Sequence, residues 1–210
     1  MEAWSTFVDL FMTELKDYLF YQDDWATIYC ADCRDILPML EPVDLVLTDP
    51  PYEGFSQFEN VDLTSLPLPL CRSFIFWSAS GTFPLPYTAV HVWHKPNGRS
   101  SEYYERIFEV NGQKVYKVFR YGCVDSVVAA QMLGDEYCGH PTQKPIGLIR
   151  ELIPQESCII LDPFMGSGTT LVAAKNLNRK SIGIEIEPKY CEIAKKRLRQ
   201  EVFDFRKKNN

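Results

Sequence analysis

Leu161-Asp162-Pro163-Phe164-Met165-Gly166-Ser167-Gly168-Thr169-Thr170 is the stretch on which the reading of this chain turns. The apolar run ahead of it, Cys158 to Leu161, has the composition of a buried strand. Thr169 to Asn176 behind it reads as a helix. A glycine-rich turn therefore joins strand to helix. Gly166 and Gly168 can take backbone angles closed to other residues, and they present no side chain. A ligand can thus approach the main chain, beside the amide donors and positive dipole end of the helix that follows. The third glycine of a dinucleotide fingerprint is absent, because Leu171 stands there.

A second polar cluster lies 113 residues earlier, where Asp49-Pro50-Pro51-Tyr52 follows the apolar run Val43 to Leu47. Both clusters end an expected strand, which is where ligands bind in open α/β sheets. Further strands are expected at Thr27–Tyr29, Phe74–Trp77, Ala89–Trp93, Lys114–Phe119 and Ser181–Ile186. Helices are expected at Asp35–Leu40, Ile146–Ile153 and Lys189–Asp204, with a helical reading open for Tyr103–Val110. Strands alternating with helices argue for an α/β fold with a mostly parallel sheet. Trp4, Phe7, Val8, Phe11, Leu15, Tyr18 and Leu19 recur at helical spacing. They define an amphipathic N-terminal extension over residues 1–24, ahead of a single domain over 25–210. Its apolar stripe packs either on its own domain or on a second copy of the chain.

The composition bounds the function. At 210 residues with 46% hydrophobic and 13% aromatic residues, one globular domain is expected. No apolar run is long enough to span a membrane, and the N-terminus lacks a secretory pattern. Seven scattered cysteines read as reduced thiols in a cytoplasmic setting. The net charge of −6 argues mildly against a nucleic-acid partner, but its distribution does not. Residues 1–60 carry 13 acids and 2 bases, whereas the remaining 150 carry 15 acids and 20 bases. Lys95, Arg99, Arg106, Lys114, Lys117 and Arg120 are the basic residues placed to meet a polyanion; the basic C-terminal run, Arg197 included, reads as a solvated helix face.

The glycine turn resembles motif I of the DNA amino-methyltransferases. His140-Pro141-Thr142-Gln143-Lys144-Pro145 resembles their motif X, Gly183-Ile184-Glu185 their motif II, and Asp32-Cys33 the position of their motif III. Asp49-Pro50-Pro51-Tyr52 resembles their acceptor motif. The resemblance covers residues 25–52 and 140–200, and 73–110 loosely. Met165 departs from it, since that position is often small. The acceptor motif comes first and the glycine motif last, which is similar to the β-group of the family, a circular permutation.

The resemblance implies a Rossmann-like methyltransferase fold with a seven-stranded, mostly parallel sheet and a small target-recognition insertion within 97–139. It implies S-adenosylmethionine as cofactor, held by Asp32, Cys33, His140, Thr142, Lys144, Asp162, Phe164, Met165, Gly166, Ser167, Gly168, Thr169, Thr170 and Glu185. DNA with a flipped adenine is the implied partner. An exocyclic amine is a poor nucleophile because its lone pair is delocalised into the ring. The Asp49 carboxylate and the Pro50 carbonyl can accept its two N–H bonds, Pro51 stiffens the turn, and Tyr52 offers a face for the base. Adenine N6 methylation is the expected reaction. The alternatives are cytosine N4 in DNA, adenine in RNA, and a catalytically idle DNA- or cofactor-binding subunit.

Overall fold

In the middle of the sheet, short apolar runs pair as parallel strands because their residues alternate between two buried faces. The computed structural model describes residues 15–51, 61–96, 103–123, 138, 143–156 and 158–200. Its strands are β1 (Leu19–Gln22), β2 (Ala26–Cys30), β3 (Leu45–Thr48), β4 (Arg72–Trp77), β5 (Ala89–His94), β6 (Tyr104–Val110), β7 (Val118–Arg120), β8 (Ile159–Asp162) and β9 (Lys180–Glu185). Its helices are α1 (Cys33–Ile36), α2 (Ile146–Leu152), α3 (Thr169–Asn176) and α4 (Pro188–Arg199).

The strands form one sheet in the order β1-β2-β9-β8-β3-β4-β6-β5-β7. From β2 to β4 all neighbours are parallel; β1 and β6 run against their partners. After β8 the chain crosses through α3 to β9 on one side, and after β3 it continues to β4 on the other. The order therefore reverses between β3 and β8, and a crevice opens at their carboxyl ends.

Alternation divides the core. Leu45, Leu47, Phe74, Phe76 and Ile160 face α2 and α3, packing with Leu148, Ile149, Leu152, Ala173 and Ala174. Val46, Ile75, Trp77, Leu161 and Ile184 face the other way, toward Ile36, Leu37, Leu63 and Leu66. A smaller cluster under α4 joins Ala26, Ile28, Met165, Leu171, Cys191, Ala194 and Leu198. Gly183 on β9 makes room for Met165: a Cβ there would sit 2.5 Å from the Met165 sulfur and 2.9 Å from Leu171. The large residue in the glycine turn is thus matched by a missing side chain on the next strand.

The described sheet has nine strands where seven were expected. Two of the nine were read differently from the sequence. The N-terminal helical spacing ran to Leu19, but helical structure in the described chain stops at residue 17 and Leu19–Gln22 pairs with β2. Strand pairing there overrides a weak apolar period. Residues 104–110 are a strand, because Glu105, Ile107 and Glu109 on one face alternate with Arg106 and Phe108 on the other, between β4 and β5. No helix among the described residues is long and apolar enough to cross a membrane.

Candidate functional site

Four parallel neighbours, β2, β9, β8 and β3, deliver polar groups to the same edge of the sheet. They end at Cys30, Glu185, Asp162 and Thr48, and Asp32, the glycine turn and Asp49 follow within a few residues. The two clusters that lie 113 residues apart in sequence thus sit on adjacent strands.

The glycine turn is built from main-chain bonds. Gly166 has φ of 50° and Gly168 φ of 79°, both in the left-handed region. Gly168 caps α3, and its N–H donates to the Met165 carbonyl at 2.8 Å. A Cβ on Gly168 would stand 2.6 Å from the Ala194 Cβ, so α4 lies directly against the turn. Ser167, Thr169, Thr170 and Met165 are buried, and Phe164 packs partly buried against the core. Arg197 on α4, only 6% exposed, donates to the Ser167 carbonyl at 2.8 Å, the Ser167 hydroxyl at 3.2 Å and the Thr169 hydroxyl at 3.1 Å. This corrects the solvated reading of Arg197. It follows Ala194 by three residues and so borders the buried stripe of α4, which is the signal that marks it.

Glu185 ends β9 with both carboxylate oxygens bonded to main chain. Oε2 accepts from the Gly166 N–H at 3.0 Å, and Oε1 from the Glu187 N–H at 2.9 Å. Burial pushes its carboxyl up, against the pull of those bonds. Each oxygen retains a lone pair for a hydroxyl donor. The Ala31 N–H donates to the Glu185 carbonyl at 3.0 Å, which sets Asp32 beside it. Asp32 caps α1 and is bonded by the Arg34 guanidinium, which holds its carboxyl below the usual range. Cys33 is buried in the core, and its thiol is pushed up to about 11 by burial.

Asp162 joins the two halves of the site. Its Oδ1 accepts from the Thr48 hydroxyl at 2.8 Å and from the Phe164 N–H at 3.2 Å, tying the end of β3 to the glycine turn. Burial raises its carboxyl to about 6. Asp49 follows Thr48, with Pro50 buried and Pro51 half-buried. Its side chain is 26% exposed, and Oδ2 accepts from the Lys144 ammonium at 2.5 Å. Lys144 was expected beside the cofactor; the structure pairs it with Asp49. Behind it stand Glu105 and Lys95, which sequence reasoning did not connect to the site. Their signal was a charge on an inward strand position (Glu105) and one at the end of an apolar strand (Lys95). Tyr52, His140 and Thr142 lie outside the described residues. Gln143 is buried and accepts from the Cys138 N–H at 3.0 Å.

Of the basic residues placed to meet a polyanion, Lys95 is buried on Glu105, and Arg106 is spent on the carbonyls of Ser78 and Gly81. Lys114, Lys117 and Arg120 are exposed, and Arg99 lies outside the described residues.

A sheet reversing at β3 and β8, with a glycine turn and an acidic proline turn at the reversal, defines a Rossmann-like methyltransferase fold. The solved M1.HpyAVI–SAM complex has the same fold, at 25% identity and a TM-score of 0.59, covering 84% of this chain and 100% of that one. The profile of the DNA methylase family matches residues 72–196, more than half of the chain, and the chain belongs to that family. Type II methyltransferase M2.LlaDCHI of Lactococcus lactis subsp. cremoris is 40% identical over 118 residues, 53% of this chain and 42% of that protein. DNA adenine methyltransferase YhdJ of Escherichia coli (strain K12) is 48% identical over 69 residues, 31% of this chain and 24% of that protein. The chain spans less than half the length of the curated relatives it matches.

Proposed function

We propose that this protein transfers a methyl group from S-adenosylmethionine to the exocyclic N6 amine of adenine in DNA. One observation carries the reading: β3 and β8 are adjacent and parallel, so the acidic proline turn and the glycine turn face one crevice. The name of one relative, the DNA adenine methyltransferase YhdJ, supports the choice of DNA and of adenine.

The residues present fit the cofactor. The left-handed glycines leave main chain open to it, and Glu185 has bonded, oriented oxygens for ribose hydroxyls. Asp32 and Phe164 border the same edge. When bound, S-adenosylmethionine supplies an electrophilic methyl on a cationic sulfur. Asp49 and the Pro50 carbonyl accept the two N–H bonds of the amine, which draws the nitrogen lone pair out of the ring and toward that methyl. Tyr52 stacks on the extruded base. Asp49 would take the proton that the amine loses and pass it to water. Leu15, of the N-terminal apolar stripe, packs on the chain's own core; a second copy of the chain is the further partner this reading adds to DNA.

The test is incubation of the purified protein with DNA and tritium-labelled cofactor, followed by nucleoside mass spectrometry. N6-methyladenine is the expected product. Asp49→Ala abolishes it while keeping cofactor affinity within about tenfold, or ~1.4 kcal/mol. Label only on cytosine, or none, contradicts the proposal.

A further inference from the structure

Asp49 is backed by a row of charges that the reading above leaves without a role. The Lys144 ammonium lies 2.5 Å from Asp49 Oδ2 and 3.4 Å from Glu105 Oε2. The other Glu105 oxygen, Oε1, accepts from Lys95. Lys144 and Lys95 are 9% and 5% exposed. Aromatic faces wall the row: Lys144 stands 5.2 Å from the Phe76 ring and 5.8 Å from that of Trp93, and Lys95 stands 4.7 Å from Trp93. Acid, base, acid and base thus alternate inward from the crevice.

Burying four charges is a poor route to stability, since apolar residues of similar volume serve as well or better. A buried row that ends on a solvent-facing carboxylate suits a site. Resting on the reading of Asp49 as acceptor of the substrate amine, we propose that Lys144, held by Glu105 and Lys95, is the positioning residue of Asp49. Its ammonium takes Oδ2 and leaves Oδ1 to the amine.

The chemistry favours such a group. An ionised carboxylate accepts an N–H bond more strongly than a protonated one, which offers a donor in place of one acceptor. The charged groups facing Asp49 are Lys144 ahead of α2, Glu105 on β6, Lys95 after β5 and Asp162 on β8. Burial pushes the Asp49 carboxyl up and Glu105 adds to it, while Lys144 and Lys95 oppose them. The same two ammonium groups hold Glu105 below the usual range against its own burial, so Glu105 stays charged and keeps Lys144 in place. Lys144 therefore fixes both the charge and the free edge of the acceptor. A carboxylate lacking that tether turns in the crevice and carries a proton over more of the working pH range.

The experiment compares wild type with Lys144→Met, Lys144→Arg and Glu105→Gln. Single-turnover methyl transfer is followed from acid to alkaline pH, and cofactor affinity is measured by calorimetry. In Lys144→Met the acidic limb moves to higher pH and the rate on that limb falls at least about tenfold, as expected for loss of a nearby opposite charge. Cofactor affinity stays within about threefold, and Lys144→Arg restores much of the rate. NMR titration of isotope-labelled aspartate carboxyls, with Asp49 assigned through Asp49→Asn, reads the same coupling without turnover. The Asp49 midpoint rises in Lys144→Met and falls in Glu105→Gln. Opposite signs from two neighbours exclude a merely structural effect. An unmoved Asp49 midpoint overturns the proposal, as does loss of cofactor binding in Lys144→Met, which would place Lys144 in the cofactor pocket. Failure of wild type to methylate would instead overturn the functional reading, and the titration would still decide the coupling.

Discussion

Gly168 is constrained by its own left-handed backbone and by the helix packed against it. From the sequence, its missing side chain admits a cofactor. The structure adds a φ of 79° and an Ala194 Cβ lying 2.6 Å from where a Gly168 Cβ would be. Gly168→Ala therefore costs stability before it costs binding, by about 2–4 kcal/mol from the strained backbone and crowding against α4 together. Urea unfolding without cofactor measures this, and an unchanged midpoint would show that α4 yields. The same comparison explains what was legible residue by residue. Glycines and prolines announced the turns because their backbone constraints are intrinsic. The place of Arg197 beside the buried stripe of α4 was legible, but its role was not, because its partners, Ser167 and Thr169, sit on another element.

At the scale of elements, β3 and β8 are joined at their tips by Asp162, which bonds the Thr48 hydroxyl and the Phe164 N–H. Burial lifts its carboxyl from 3.8 to about 6. The folded state thus binds a proton more tightly than the unfolded one between those values. The resulting stability is complete below the unfolded value and is lost as pH rises through about 6, a loss on the order of 3 kcal/mol. Asp162→Asn keeps an oxygen acceptor for the Thr48 hydroxyl and the Phe164 N–H, alters the bond to Thr170, and carries no charge. Its stability relative to wild type should rise as pH climbs from 3.8 through about 6 and level off above. Chemical unfolding across that range is the measurement, and a gap that does not vary with pH would refute it. The strands that frame this pair were legible because each is a short apolar run. Glu105, Arg106 and Glu109 interrupt β6 at a spacing that also suits a helix, and only pairing with β4 and β5 decides for strand.

For the whole molecule, the proposed function raises the question of how the chain would find a sequence on DNA. Two of the basic residues once available for contact are spent inside the fold, Lys95 on Glu105 and Arg106 on loop carbonyls. That leaves Lys114, Lys117 and Arg120 exposed among the described ones. Such a set supplies phosphate contacts more readily than base contacts. We therefore expect a short or degenerate target, or help from a second copy. Methylation mapping on a mixed-sequence genome tests this, and one strict long site from a monomer would contradict it. Charge distribution along the chain pointed to its later part as the place where a polyanion would be met. It did not show which cations were already neutralised, since that depends on contacts between strands distant in sequence.

The spacing between the two turns is a property of the ladder between β3 and β8, and the 113 residues that separate them along the chain have no say in it. Rungs such as Leu45 with Ile160 and Val46 with Leu161 act as a ruler with one notch per residue. A slip of a single notch would carry Asp49 about 3.3 Å along the strand and turn it to the opposite face. Chain added between the turns, by contrast, leaves the ruler untouched. Connections of this kind can lengthen, shorten or be rejoined in another order over evolutionary time while the two turns keep their distance.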